Sequence, residues 1–308
     1  MTPPSLAYVG LASNDVEATC AAFEVLGLHR NELTSCSGTV PVYRIGRSAL
    51  AVFPIGHPML DGEEKAGVNH IALAIDKRDN IPDLYRQSGL TAGRAEVGLG
   101  ERALYRLDKA DTAGVRTLLS EPLDLKAAAQ EGLLERIDHI GSASEDVAED
   151  ERIFVGKLGM QVESRQTDME VTIPVESFTS DKYGVVYHSR EPEPVGGLRI
   201  AFITVGDCEI EFLANFDPSQ DGQVNYGISG TTRQDQGAIS RFVNRRGRGL
   251  HHIALKTTDI NAALDKLADA GLELIDQHGR PGSRRALIGF VHPKSMGGVL
   301  MHLVQRNG

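Results

Sequence analysis

Two segments of the sequence repeat one another, and this repeat restricts the fold more than any other feature of the chain. Residues 67–73 read GVNHIAL, and residues 249–255 read GLHHIAL. Both are short, rich in Val, Ile and Leu, and begin at a Gly, which is typical of β-strands. Apolar residues three and four positions apart predict a one-sided helix at 260–270, and its counterpart follows the first segment near 81–89. The chain is therefore predicted to contain two copies of one strand–helix unit.

The repeat extends beyond these two segments. The first strand of each copy is followed by an acidic helix-capping region and by a helix that ends in Leu-Gly. Aligning all the pairs gives four modules, each with one strand, one helix and further strands, and the modules are grouped as two halves. The further pairs are residues 6–12 with 137–143, 45–53 with 205–213, and 114–118 with 298–302.

The length of 308 residues also favours two domains, because single domains are usually shorter. We predict an α+β fold of two tandem domains, residues 1–124 and 135–308. An alanine-rich, charged linker at 125–134 joins them and is expected to form a short helix. The second half is longer because of two insertions, at 166–197 and 217–237. Their content of Gly, Pro, Ser, Asp and Gln predicts surface loops.

The composition argues against several classes of function. The net charge of −10 and the absence of Trp disfavour a nucleic-acid binder, because phosphate contacts need a basic face and base stacking needs aromatic side chains. No apolar run approaches the ~20 residues of a membrane span, and the N-terminal stretch lacks the pattern of a secretory signal. The three cysteines, an odd number without metal-type spacing, indicate reduced thiols. We therefore expect a cytoplasmic protein that acts on a small molecule, with no nucleic-acid or membrane partner.

Four residues of ligand type occupy equivalent strand positions in the second half. Alternate side chains of a strand face the same side, so one polar residue from each of four strands can converge on the concave face of a curved sheet. Imidazole and carboxylate groups suit a divalent ion such as zinc, cobalt, nickel, iron or manganese. The sequence therefore predicts one metal ion in the second half and none in the first. The second-half residues are His139, Glu211, His252 and His302, and their first-half counterparts are Tyr8, Ala51, His70 and Leu118.

Some of these histidines have a simpler interpretation. A single His in an apolar strand is usually a satisfied core residue, and this interpretation is favoured for His70. Adjacent strand residues face opposite sides, so only one of His251 and His252 can be a ligand. The place of His302 in the set depends on an extrapolated strand register.

These residues carry a resemblance to the vicinal oxygen chelate (glyoxalase/bleomycin resistance/dioxygenase) superfamily, and the second half resembles its methylmalonyl-CoA epimerase family. The similarity covers residues 137–305 and is densest at 137–141, 239–254 and 280–300. It implies that each half pairs two β-α-β-β-β modules into a cupped mixed sheet, the first half being a degenerate copy. It also implies one divalent metal ion (cobalt, manganese, zinc, nickel or iron) as the cofactor of the second half.

The resemblance further implies a ligand set. The ligands of the family are a His on the first strand, a Gln or Glu in the second module, the second His of a His-His pair and a Glu on the last strand. They fall on His139, Glu211, His252 and His302. The fourth position departs from the family, because residues 301–303 are Met-His-Leu where Ile-Glu-Leu is expected. A neutral ligand there removes a carboxylate from the reaction centre and leaves the exact reaction open.

The reaction implied by the resemblance is proton transfer next to a carbonyl, with an enolate stabilised by the metal as a Lewis acid. Epimerisation of a methylmalonyl-type CoA thioester is the concrete version, with Glu211, His302 and Glu209 as candidate acid–base groups. A second candidate is an Fe(II) extradiol-type ring-cleaving dioxygenase, which normally requires two His and a carboxylate on the last strand. A metal-dependent lyase acting on a non-CoA substrate and a protein that only binds a small molecule are the third and fourth candidates.

Basic residues flank the predicted mouth of the cup. They are candidates for holding a CoA phosphate or a substrate carboxylate by charge-assisted hydrogen bonds, although a solvated surface is the commoner outcome for such runs. The sequence also leaves a homodimer open. The candidates for substrate binding are Lys294, Ser295, Arg245 and Arg285.

Overall fold

The computed structural model describes most of the chain, and its first half forms one large mixed β-sheet with two helices. The described residues are 4–75, 80–125, 132–172, 175–189, 191, 193–215 and 237–306. The elements of the first half are β1 (Ser5–Ser13), α1 (Val16–Val25), β2 (Arg30–Ser35), β3 (Gly38–Ile45), β4 (Ser48–Pro54), β5 (Gly67–Ala74), α2 (Ile81–Gln87), β6 (Glu96–Val97), β7 (Ala103–Arg106) and β8 (Thr117–Ser120). The spatial order of this sheet is β2-β3-β4-β1-β5-β8-β7-β6.

The second half forms another large mixed sheet and carries a separate two-stranded hairpin. Its elements are β9 (Leu134–Ser144), α3 (Val147–Glu151), β10 (Gln161–Thr172), β11 (Val175–Ser180), β12 (Gly184–Ser189), β13 (Glu193–Val205), β14 (Cys208–Asn215), α4 (Ala238–Arg246), β15 (Gly249–Thr257), α5 (Ile260–Asp269), β16 (Arg280–Pro281), β17 (Leu287–Val291) and β18 (Met301–Gln305). The large sheet has the order β10-β13-β14-β9-β15-β18-β17-β16, and β11 pairs with β12.

Short helical turns connect several of the strands. Within the described part of the chain, no helix is long and apolar enough to span a membrane. The 3-10 turns are Pro58–Leu60, Leu99–Glu101, Lys109–Thr112, Ser283–Arg285 and Pro293–Met296, and a π-helical turn, Arg152–Lys157, continues α3.

The two large sheets have the same strand order when each strand is replaced by its partner in the sequence repeat. In both, the first strand lies parallel to the fourth and antiparallel to the strand that carries the repeated His. The last strand of each sheet lies parallel to that His-bearing strand. The predicted α+β fold of two tandem cupped sheets is confirmed.

Matching aspartates begin the helices of the repeat. Asp15 accepts a hydrogen bond of 3.0 Å from the backbone N–H of Ala18 at the start of α1. Asp259 does the same for Ala262 at the start of α5, again at 3.0 Å. A side-chain oxygen at this position satisfies a backbone N–H that has no partner within the helix, which contributes about 1 kcal/mol. Both helices begin where the acidic residues of the sequence place them.

One hydrophobic cluster takes buried side chains from both halves of the chain. It includes Phe23 of α1, Ile71 of β5, Ile253 of β15 and Leu264 of α5. Helices α1 and α5 contact each other, and β5 contacts β15. Burying each such side chain contributes about 1.5–3 kcal/mol, so both sheets gain stability from the same cluster.

The other faces of the two sheets differ in what covers them. In the first half, one apolar cluster includes Tyr8, Ala51 and Leu118, the counterparts of three predicted ligands. In the second half, the apolar side chains form two smaller clusters, one around Phe202 and one around Ile288. The strands that carry the predicted ligands, β14, β9, β15 and β18, are the four in the middle of that sheet.

The prediction of a surface loop at 166–197 is wrong for most of that segment. Strands β10 and β13 form a long antiparallel pair, and the hairpin β11–β12 lies between them in sequence. The described side chains of β12 are exposed on both faces, so this segment shows no alternation of apolar and polar residues that would identify a strand. The insertion at 217–237 and the linker at 125–134 lie largely outside the described residues, and the domain boundaries stay a prediction.

Candidate metal centre

Three of the predicted ligands meet at one point on the second sheet. The Nε2 atoms of His139 and His252 are 3.4 Å apart. The Oε2 atom of Glu211 lies 3.4 Å from the Nε2 atom of each of them. These side chains come from the adjacent strands β14, β9 and β15, and their alternation along each strand brings them to the same face.

His302 completes the group from β18. Its ring centroid lies 5.1 Å from that of His139 and 5.0 Å from that of His252. One nitrogen from each of these three histidines falls within 4.8 Å of the other two. The three histidine residues and Glu211 are each only 3–6% exposed. The extrapolated register of the last strand therefore places His302 beside the other predicted ligands.

The distances within this group fit a shared cation better than direct hydrogen bonds. Hydrogen bonds between nitrogen and oxygen are about 2.7–3.2 Å long, whereas these contacts measure 3.4 Å. Two ligand atoms of a tetrahedral ion lie roughly 3.3–3.4 Å apart when each metal bond is about 2.0–2.1 Å. Imidazole nitrogens with one carboxylate also suit a borderline divalent ion. The residues therefore fit a divalent metal ion.

A glycine on the neighbouring strand makes room for the ring of His252. Residue Gly141 lies opposite His252 in the β9–β15 register, and a Cβ atom at Gly141 would lie 2.0 Å from the Cε1 atom of that ring. The first half repeats the arrangement, since a Cβ atom at Gly10 would lie 2.2 Å from the Cε1 atom of His70. In both halves the imidazole occupies the space that a Cβ atom on the neighbouring strand would need.

An acid and an arginine orient the ring of His139. The Nδ1 atom of His139 is 2.8 Å from Asp138, and because a carboxylate only accepts, this nitrogen carries the proton. Arg306 donates two further hydrogen bonds to Asp138, at 2.7 and 2.9 Å. Burial opposes ionisation of Asp138, but the hydrogen bonds from His139 and Arg306 outweigh it and hold the pKa of the carboxyl far below its usual value. The Nε2 lone pair of His139 is thus left facing the centre.

The remaining predicted ligands are held in the protonation states that bind cations. Burial lowers the pKa of His252 and, more strongly, that of His302, so both rings are neutral near pH 7. Burial also opposes ionisation of Glu211, but the neighbouring His139 and His252 outweigh it and lower the pKa of the carboxyl. The Nδ1 atoms of His251 and His252 are 2.9 Å apart, so His251 fixes the Nδ1 side of the His252 ring. Neutral imidazoles and an ionised carboxylate are the forms that a metal requires.

Glu209 is paired with an arginine rather than with the histidines. Arg284 donates a hydrogen bond of 2.5 Å to Glu209 and another of 2.7 Å to Glu163. The guanidinium of Arg284 also lies 3.5 Å from the ring centroid of Phe202, and that ring contacts His139 at a centroid distance of 6.0 Å. Arg284 therefore lies at the edge of the centre, and the carboxylate of Glu209 holds it there.

Two of the four residues predicted to bind substrate lie in a turn, and the other two are exposed. Lys294 and Ser295 belong to the turn Pro293–Met296, which contacts helix α1 of the first half. Within that turn, the hydroxyl of Ser295 accepts a hydrogen bond of 2.8 Å from the backbone N–H of Glu273. Arg245 and Arg285 are exposed. Their roles in substrate binding stay predictions.

Sequence reasoning did not identify Asp138 and Arg306, which orient His139. The acid directly before His139 was the available signal, because ligating histidines commonly donate their other N–H to a carboxylate. Nothing local marks Arg306, since its partner lies far away in sequence. Arg284 belongs to the basic residues that flank the predicted mouth of the cup, and the structure places it against Phe202.

Comparisons with known proteins agree with this fold. Residues 138–290 match the glyoxalase/bleomycin resistance protein/dioxygenase superfamily. The chain is similar to an ethylmalonyl-CoA/methylmalonyl-CoA epimerase of Cereibacter sphaeroides, at 30% identity over 130 residues, which are 40% of this chain and 80% of the relative. It is also similar to the mitochondrial methylmalonyl-CoA epimerase of Dictyostelium discoideum, at 26% identity over 158 residues, 50% of this chain and 83% of the relative.

A solved structure extends the likeness of fold to both halves. A triple mutant of 4-hydroxymandelate synthase from Streptomyces coelicolor matches 100% of this chain and 94% of its own, with a TM-score of 0.63 and 16% sequence identity. Such a likeness concerns the fold alone. The match of residues 138–290 and the sequence relatives lead to one conclusion: the chain belongs to the glyoxalase/bleomycin resistance protein/dioxygenase superfamily.

Proposed function

We propose that the protein is a divalent-metal-dependent epimerase or isomerase that moves a proton next to a carbonyl group, as a methylmalonyl-CoA epimerase does. The observation that carries the proposal is the convergence of His139, Glu211, His252 and His302 on one buried point. A divalent ion bound there supplies a Lewis acid that stabilises the enolate form of a carbonyl substrate. The names of the relatives from Cereibacter sphaeroides and Dictyostelium discoideum support a CoA thioester as the substrate.

Two residues of the set are suited to handle the proton. His302 is neutral because burial lowers the pKa of its ring, and its Nδ1 atom has no hydrogen-bond partner among the described residues. If the other three residues hold the ion, this neutral imidazole keeps one lone pair and one N–H for proton transfer, so it can accept the proton from one face of the α-carbon while a second group returns one to the other face. Glu211 is the alternative base, because its carboxylate is ionised beside the histidines. Where the relatives of the family carry a carboxylate on the last strand, this chain would use the imidazole of His302.

Glu209 acts indirectly in this proposal. Its carboxylate holds Arg284 against the ring of Phe202, so the guanidinium is positioned at the edge of the centre. The other Nη group of Arg284 donates to Glu163. Because both Nη groups already pair with carboxylates, Arg284 is proposed to border the bound substrate, and Glu209 to position Arg284.

The test measures exchange of the α-proton. The protein is loaded with cobalt or manganese and incubated with methylmalonyl-CoA in heavy water, and deuterium at the α-carbon is followed by mass spectrometry. The His252→Ala variant is expected to exchange at least about 100-fold more slowly, since loss of even an outer contact of a metal site costs about 10–100-fold. The matched control is His70→Ala, which removes the equivalent ring from the first half. Wild-type protein that holds metal but exchanges no proton would rule out this reaction for this substrate.

Metal content tests the ligand set separately from the reaction. Elemental analysis is carried out on wild type, Glu211→Ala and His302→Ala after purification in the presence of the ion. Both variants are expected to retain less metal than wild type, because each loses one ligand of the proposed set. Full occupancy in both variants would remove Glu211 and His302 from that set.

A ring-cleaving Fe(II) dioxygenase is the second candidate. The observation that favours it is the two-sheet architecture, which matches the fold of 4-hydroxymandelate synthase over the whole chain. His139, His252 and Glu211 provide two imidazoles and one carboxylate, the donor set used by non-haem Fe(II) oxygenases. Oxygen consumption by iron-loaded protein with a catechol-type substrate would select this reaction over proton transfer.

A further inference from the structure

A basic cleft lies where the two halves meet, at the beginning of strands β5 and β15. Its lining comes from residues 63–69 and 109–116 of the first half and 242–250 of the second. Its basic side chains outnumber its acidic ones, although the chain as a whole carries a net charge of −10. The charged side chains that line the cleft are Lys65, Lys109, Arg116, Arg246, Arg248 and Glu63.

The two deeper arginines of the cleft are paired with acids. Arg116 lies 3.2 Å from Glu63, and Arg248 donates to Glu149 at 2.5 Å and to Asp150 at 2.9 Å. These pairs fix both guanidinium groups, and the three carboxylates offset three of the five positive charges in the cleft.

Two of the three remaining cations are held by neutral partners instead. The Nη1 atom of Arg246 donates to the backbone carbonyl of Ala66 at 2.8 Å, and the Nζ atom of Lys65 donates to the carbonyl of Arg245 at 3.3 Å. Each bond runs from one half of the chain to the other. A carbonyl fixes the position of a charged head group without cancelling its charge. Two positive charges are therefore held in place with their attraction for an anion intact.

The size of the cleft selects a compact anion. Its volume is about 50 Å³, and a single water needs roughly 10–15 Å³ on the same measure, so the cleft has room for a few waters or one tetrahedral group. Glycines keep its floor narrow. A Cβ atom at Gly114 would lie 2.6 Å from the carbonyl oxygen of Arg248, and one at Gly249 would lie 3.0 Å from that of Gly114.

We propose that this cleft binds a phosphate group, either as free phosphate or as the phosphate of a larger ligand that extends into solvent. The charge, the fixed cations and the volume all suit a small dianion. Phe242 lines the cleft and also contacts His251, at a ring-centroid distance of 4.8 Å, so the cleft lies next to the metal centre. The proposal does not depend on the reaction proposed above.

The test is a titration with inorganic phosphate by calorimetry, with sodium chloride of equal ionic strength as the blank. Wild type is expected to show one saturable site. Lys65→Gln and Arg246→Gln are each expected to bind about three- to tenfold more weakly, the range for one charge-assisted hydrogen bond discounted for exposure. The matched control is Arg86→Gln, which removes an exposed arginine of α2 from outside the cleft. Absence of saturable binding by wild type, or unchanged binding by the Lys65→Gln/Arg246→Gln double variant, would overturn the proposal.

Competition identifies the source of the phosphate. If the site holds the 3′-phosphate of CoA, CoA displaces inorganic phosphate and 3′-dephospho-CoA does not. If it holds free phosphate, neither nucleotide competes. Either result supports a phosphate site, whereas displacement of phosphate by chloride at equal ionic strength would contradict one. His252→Ala is included in the series, because phosphate binding that survives loss of the metal centre separates this site from the proposed reaction.

Discussion

Replacing Gly141 by Ala tests whether His252 is a metal ligand without touching His252 itself. The added Cβ atom would lie 2.0 Å from the Cε1 atom of the ring, whereas ordinary contacts are 3.4–4 Å, so the ring must retreat by at least 3.4 − 2.0 = 1.4 Å. Metal–ligand distances tolerate only about ±0.2 Å. The substitution should therefore remove this nitrogen from the centre.

The expected loss of metal affinity in Gly141→Ala is at least about 100-fold, the upper end of the range for disturbed outer contacts of metal sites. The extra methyl group should also lower the free energy of unfolding by about 1–3 kcal/mol, as overpacking does. Competition against a chromogenic chelator measures the affinity, and urea denaturation of the metal-free protein measures the stability.

The chain provides a matched control for this prediction. Gly10→Ala places a Cβ atom 2.2 Å from the Cε1 atom of His70, so the steric perturbation is nearly the same in the half that lacks the ligand set. We expect a similar loss of stability and unchanged metal affinity. If Gly141→Ala loses stability as Gly10→Ala does but binds metal as tightly as wild type, His252 is not a ligand.

Three further substitutions have expected outcomes. Asp138→Asn should lower metal affinity about 10–100-fold in a chelator competition, because the amide no longer accepts from both His139 and Arg306. Burial raises the pKa of Asp150 to about 6 from an ordinary value of 3.8. Between these pH values the native state holds a proton that the unfolded chain releases, so this group makes the free energy of unfolding fall as pH rises. Asp150→Asn should remove this pH dependence in urea denaturation. Burial lowers the pKa of His70 to about 3 from 6.5, so protonation of the unfolded chain makes stability fall as pH drops from 6.5 towards 3, and His70→Gln should remove this opposite slope.

The sequence was sufficient to predict the strands of the site, whereas the order of the strands in each sheet comes from the structure. The repeat identifies the histidine-bearing strand of each half, and alternation along a strand decides which side chains share a face. This reasoning was adequate even for His302, whose strand is only five residues long. It succeeded because these residues lie in the middle of regular, buried strands, where one register fixes every side chain.

Other contacts at the site join residues that are far apart in sequence, and the local pattern of apolar and polar residues does not predict such pairs. Arg306 reaches Asp138 from 168 residues away, and Arg284 reaches the centre through a left-handed backbone conformation with a φ of 54°. The hairpin β11–β12 was also missed. The side chains of β12 are exposed, and the hydrophobic pattern that identifies strands arises only where one face is buried.

The hydrophobic cluster shared by the two halves has a consequence for how the molecule can be divided. Since α1 and α5 cover each other and side chains of both sheets enter the same cluster, cutting the chain between the halves would open a large apolar surface to water on each piece. Such surfaces drive self-association. We therefore expect the half that lacks the predicted ligands to shield an apolar face of the half that carries them.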